Sequence, residues 1–133
     1  MGDGGAFGEV TPVDASVGWA AGSGYSTAGE LAVFYEAMLA GALYPTALVE
    51  EQLSAVEADL GFDEEGLETG YGLGVMFVGI DEQLLTGHLG SVEGFFSAAM
   101  RDEDTGALAV VLSNASEQVV VEPTMRALGV ASR

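Results

Sequence analysis

Cysteine is missing from this 133-residue sequence, and so is lysine. Without a thiol, neither a disulfide framework nor a thiolate metal site can form, and redox compartment leaves no trace in the chain. Without lysine, the only cationic side chains besides His88 are Arg101, Arg126 and Arg133, set against 21 Asp and Glu for a formal net charge of -18. Nucleic acid is strongly disfavoured as a partner by that balance, and none is expected, because phosphate binding depends on Lys and Arg displacing condensed counterions. An anionic membrane surface is disfavoured for the same reason. Self-repulsion is largely removed at about 1 M salt, where the Debye length shrinks to roughly 3 Å, so the charge points to a high-salt environment. Long apolar runs are absent too. None approaches the roughly 18 residues of a membrane-spanning helix, and Met1-Gly2-Asp3-Gly4-Gly5 lacks the basic and apolar regions of a signal peptide, so the chain reads as soluble.

What is present is material for a core. Hydrophobic residues make up 49% of the chain, and a chain of this length is expected to form one domain, 1–133. Residues 1–24 are rich in Gly, Ala and Ser without a sustained period and read as irregular. Residues 25–58 read as helical. Thr27-Ala28-Gly29-Glu30 has the form of a capping box, and Leu31, Phe34, Tyr35, Met38 and Leu39 follow at helical spacing, which predicts a helix over 27–40. Pro45 suits the first turn of a second helix carrying Leu48, Val49, Leu53 and Val56 on one face. An acidic loop is expected over 59–69.

From Tyr71 the pattern changes to short runs rich in Val, Leu and Phe, over 71–79, 84–89, 95–101 and 108–113. Connections this short cannot carry parallel crossovers, so residues 71–115 are expected to form antiparallel strands, with Asp102-Glu103-Asp104-Thr105-Gly106 as a hairpin turn. The terminal segment, 117–133, reads as helical, opened by Pro123 and closed after Leu128 by Gly129. Helices, then strands, then a helix make the fold class α+β, an antiparallel sheet flanked by helices.

Three stretches carry a resemblance. Ala20-Ala21-Gly22-Ser23-Gly24-Tyr25-Ser26-Thr27-Ala28-Gly29-Glu30-Leu31-Ala32-Val33-Phe34, then Tyr71-Gly72-Leu73-Gly74-Val75, then Gly87-His88-Leu89-Gly90-Ser91-Val92-Glu93-Gly94-Phe95 resemble, in this order, segments of the penicillin-recognising serine hydrolases. That family includes class C β-lactamases, D-alanyl-D-alanine carboxypeptidases and related esterases. The resemblance implies that this sequence supplies the carboxy-terminal part of such a fold, with its last three strands and terminal helix. It implies a small-molecule amide or ester substrate for the intact enzyme, and no cofactor.

In that family a serine in Ser-x-x-Lys attacks a carbonyl, helped by its lysine and by the tyrosine of Tyr-x-Asn, and water hydrolyses the acyl-enzyme. With no lysine there is no Ser-x-x-Lys, and none of Tyr25, Tyr35, Tyr44 and Tyr71 begins Tyr-x-Asn. The third motif is present in altered form. By resemblance His88 would line the pocket, Leu89 and Gly90 would border the substrate, and the Ser91 backbone N–H would be an oxyanion-hole donor. Leu89 stands where relatives carry a threonine hydroxyl for a substrate carboxylate, which favours an esterase-like or lost activity. Catalysis by the chain alone is not expected.

Other readings of these residues stay open. His88 with Ser26 or Ser91 would make a minimal esterase, while Ser26 and Thr27 are explained more simply by helix capping. A histidine hydrogen-bonded at a strand end without a catalytic task is the plain alternative, as is a stand-alone, non-catalytic binding or assembly module. Asp102, Asp104 and Asp63-Glu64-Glu65 lack the ligand spacing of a calcium loop, and a single His without Cys does not make a zinc site, so no metal is expected. Asn114-Ala115-Ser116 is formally a glycosylation sequon but falls at a strand end. An exposed sheet edge around Gly94-Phe95-Phe96 would invite a homo-oligomer.

The charge reading has a direct check. Circular dichroism is expected to show more folded chain in about 2 M KCl than in about 0.1 M. A signal unchanged between the two would assign the acidic excess to ordinary solubility.

Overall fold

Residues 14–54, 56–57, 67–80, 82–92, 94–114, 124 and 126–128 are described by a computed structural model of the chain. A short 3-10 turn, Ala15–Gly18, leads into the one-turn helix α1, Trp19–Gly22. This start is therefore more ordered than its Gly-rich composition suggests. The predicted capping box is formed: the Thr27 hydroxyl accepts from the Glu30 N–H at 3.2 Å, and the Glu30 carboxylate accepts from the Thr27 N–H at 3.0 Å. It starts α2, Ala28–Leu39, at the predicted place. Pro45, with no N–H to satisfy, caps α3, Thr46–Gln52. This helix buries Val49 but leaves Leu48 exposed, and it stops before Val56, which begins a strand instead.

Six strands follow in a continuous antiparallel meander, ordered as in the sequence: β1 (Val56–Glu57), β2 (Leu67–Tyr71), β3 (Met76–Ile80), β4 (Gln83–Val92), β5 (Phe95–Asp102) and β6 (Leu108–Ser113). Two strand expectations need correction. The end of the expected acidic loop is β2, and the expected single strand over 71–79 is broken into β2, a turn and β3. The break lies in Tyr71-Gly72-Leu73-Gly74. Gly74 has φ 77, and a Cβ on Gly72 would come within 2.2 Å of the Gln52 carbonyl oxygen, to which the Leu73 N–H donates at 3.0 Å. The motif is a turn docked onto the end of α3, which its apolar letters do not reveal.

Successive strand residues point to opposite faces, so the register defines two sides. One carries Phe77, Thr86, Arg101 and Leu108 in neighbouring positions and faces α2 and α3. The other carries Val78, Leu85, Met100 and Ala109, packed with Leu128 as the main core cluster. Leu128 belongs to the predicted terminal helix, of which Thr124, Arg126 and Ala127 are helical; the remainder of 117–133 lies outside the described residues, as do 1–13 and the expected acidic stretch 59–66. Fold class is thus α+β, an antiparallel sheet flanked by helices.

The hairpin joining β5 to β6 is organised by Asp102, which is fully buried. Its Oδ1 accepts from the Asp104 N–H at 2.8 Å and the Thr105 N–H at 3.1 Å, while Oδ2 accepts from Gln83 Nε2 at 3.1 Å. The Thr105 N–H, with those of Asp104 and the Gln83 amide, holds this carboxyl below the ordinary aspartate value. Oδ1 is thus used within the turn and Oδ2 by the first residue of β4, which ties the hairpin to the neighbouring strand. Because the folded-state pKa is depressed, the stabilisation is present above the unfolded value of about 3.9 and lost as pH falls through the folded one. Asp102→Ala should lower the denaturation midpoint at pH 7 and flatten the loss of stability below about pH 4. Denaturant titrations at pH 7 and pH 3 measure both.

Candidate active site

β4 outruns one of its neighbours. It pairs with β3 over five positions, ending at Met76 opposite Gly87, and with β5 over eight, from Leu85 opposite Asp102 to Val92 opposite Phe95. Residues 88–92 therefore have a strand partner on the β5 side only, among the described residues. The Glu103 N–H donates to the Leu84 carbonyl at 3.0 Å, which makes that pair hydrogen-bonded across β4 and β5. Antiparallel pairs alternate, and this register has no bulge, so His88, Gly90 and Val92 direct their main-chain groups to β5. Leu89 and Ser91 then direct theirs to the open side. Among the described residues the Ser91 N–H therefore has no strand partner and points away from β5.

Gly87 sits where the two halves of β4 meet. Its φ is 154, and a Cβ there would lie 1.9 Å from the Ala99 carbonyl oxygen and 2.9 Å from Met100 Cα. Only glycine lets β4 lie this close to β5 immediately before His88.

His88 is half-buried on the face shared by Thr86 and Arg101. Its Nδ1 meets the Leu89 carbonyl oxygen at 2.5 Å, and its Nε2 meets Tyr71 Oη at 2.8 Å. The two rings stand edge-on, 84° between planes with centroids 5.9 Å apart. Tyr35, on α2, belongs to the same corner: its phenol is held above the ordinary tyrosine value by burial and by the proximity of Tyr71. The helical spacing of Tyr35 gives no sign of this neighbour, and no motif links Tyr71 to His88. The available signal was that both residues lie in glycine-bearing motifs, but their meeting depends on the turn at Gly72 and Gly74.

The other expected site residues are distributed differently. Gly90 lies beside Ser97, whose hydroxyl is 2.6 Å from where a Cβ would stand. The Leu89 side chain, expected at the pocket, packs against both apolar clusters, including Leu85, Met100, Phe96 and Ala98. Strand alternation sends it to the face opposite His88, so the loss of a threonine hydroxyl at this position is a change in the core. The Ser91 side chain is exposed on that opposite face. Ser26 is exposed at the start of α2, with its hydroxyl facing the Thr27 carbonyl at 3.3 Å and Glu30 at 3.4 Å. Neither serine hydroxyl is bonded to His88, and both ring nitrogens are occupied, so no nucleophile–base pair of the minimal-esterase kind is assembled. Among the described residues no group of three acidic or histidine side chains is placed to hold a metal, and no helix is long and apolar enough to cross a membrane.

Among the described residues, His88, Gly90 and the Ser91 N–H lie along one strand edge without a partner on its outer side, in a sheet flanked by helices. The chain belongs to the β-lactamase family: the family model described as Beta-lactamase matches residues 2–131. Among solved structures it is similar to a D-amino acid amidase from Ochrobactrum anthropi complexed with D-phenylalanine, at 28% identity and TM-score 0.68, covering 84% of this chain and 38% of that one. It is also similar to a D-stereospecific amidohydrolase from Streptomyces sp., at 29% identity and TM-score 0.67, covering 84% and 33%. The chain thus spans about a third of the length of the structures it matches. None of the curated proteins compared matches it.

Gly87→Ala should destabilise the fold by about 3 kcal/mol, since relieving the overlap requires β4 and β5 to separate at a buried position. Urea unfolding measures it; a change under about 0.5 kcal/mol would mean that β4 is not pinned at Gly87.

Proposed function

We propose that this chain supplies the β4 wall of a β-lactamase-like serine hydrolase that cleaves a small amide or ester through an acyl-serine. The observation that carries the reading is the open half of β4, where the His88 ring and the Ser91 N–H flank Gly90 beside an unpaired edge. In the reaction, a serine hydroxyl from outside this sequence attacks the substrate carbonyl, and the Ser91 N–H stabilises the developing oxyanion. The amine or alcohol leaves with a proton, and water then releases the acid. The amidase similarity supports a small amide, with D-amino acid amides the first to try. Lacking Ser-x-x-Lys and Tyr-x-Asn, the chain by itself binds or borders substrate without turning it over.

A second reading rests on the same edge. Leu89 and Ser91 retain main-chain groups without a strand partner, and Val92 and Phe95 are exposed beside them, so a second copy could pair there as a non-catalytic assembly. Light scattering would separate a dimer from a monomer.

The deciding assay is hydrolysis of nitrocefin, p-nitrophenyl acetate and D-phenylalanine amide by the purified chain in about 2 M and about 0.1 M KCl, with circular dichroism in parallel. A folded, inert chain is the expected outcome. Turnover that disappears in a folded His88→Ala variant would instead make the chain a complete hydrolase.

A further inference from the structure

His88 has no free ring nitrogen. The Leu89 carbonyl oxygen can only accept, so Nδ1, facing it at 2.5 Å, carries the ring proton. In the neutral ring Nε2 then has only its lone pair, and the group meeting it at 2.8 Å, the Tyr71 hydroxyl, must donate. We infer that Tyr71 is a positioning residue for His88, its hydroxyl capping Nε2, fixing the imidazole edge-on and withholding it from work as a general base. The catalytic meaning of this role rests on the reading above, in which His88 is pocket wall and the nucleophile is activated by other groups.

The arrangement is built by three separate parts of the chain. Tyr71 ends β2 and is held by the Gly72–Gly74 turn against α3; its neighbour Met76, in the register, pairs with Gly87, directly before His88. The loss of β3 pairing after Gly87 opens the space beside His88 that the Tyr71 ring reaches. The same open edge leaves the Leu89 carbonyl turned toward His88 Nδ1. A hydroxyl is required at position 71, since an aromatic ring alone would fill the corner but leave Nε2 uncapped.

The sequence holds one histidine, which makes its ring signals unambiguous. Ring nitrogen NMR spectra of the full chain at alkaline pH should show a single tautomer, protonated at Nδ1. Access to Nε2 is read by diethyl pyrocarbonate, whose carbonyl carbon the imidazole lone pair attacks, expelling ethyl carbonate. Tyr71→Phe should be acylated at least about fivefold faster than the parent chain, the factor set by losing one hydrogen bond of ordinary strength. Phe77→Leu loosens the same corner, where the Phe77 ring lies 3.1 Å from a Cβ built on Gly72, while keeping the hydroxyl; it should leave the rate unchanged.

A parent ring protonated at Nε2, equal acylation rates in the parent and Tyr71→Phe, or an equal acceleration in Phe77→Leu would each overturn the role of Tyr71. Neither readout uses turnover, so the two readings fail separately. An uncapped histidine in an inert chain would remove Tyr71 from the site and leave the proposed function standing. A capped histidine in a chain that hydrolyses ester would do the reverse.

Discussion

β4 is ten residues long and β3 is five, and the two strands can share only part of their length. Hydrogen bonding to β5 continues through the difference, so the last half of β4 is held firmly on one side and, among the described residues, is open on the other. Gly87 makes this geometry available by letting the strands approach at the point where a side chain would meet the Ala99 carbonyl oxygen. The position of His88, the direction of the Ser91 N–H and the seating of the Tyr71 hydroxyl all depend on it. Elsewhere in the sheet a main-chain donor without a partner would be a defect; under the proposed function it would serve to stabilise a developing negative charge.

The acidic composition enters the structure at few points. Among the described residues most carboxylates are exposed, while a few organise local geometry: Glu30 in the capping box, Asp102 in the last hairpin, and Glu103, which pairs with Arg101 at 3.0 Å and accepts from Thr86. The Arg101–Glu103 pair is about a third exposed and worth little by itself, but Asp102 is buried and its bonds complete the turn.

Local signals were legible where a short stretch of sequence suffices. The capping box placed the start of α2 because its bonds lie within four residues. The β5–β6 hairpin was readable because Asp102 satisfies N–H groups two and three residues on. The Tyr-Gly-Leu-Gly segment was misread as the interior of one strand, because the atom that forbids a side chain at Gly72 is the carbonyl oxygen of Gln52, twenty residues away in the sequence. Leu89 was placed in the pocket by analogy with a threonine, but alternation along β4 directs its side chain into the core.

The sequence by itself determined the family, the α+β class and the absence from this chain of the nucleophile and base motifs, since each is a matter of residue identity, order and spacing. Only the tertiary structure decided which groups stand together. It joined Tyr71 to His88, turned Leu89 away and left the Ser91 N–H at an open edge, because strand length and register, which are properties of pairs of segments, fix where a side chain or an amide ends up.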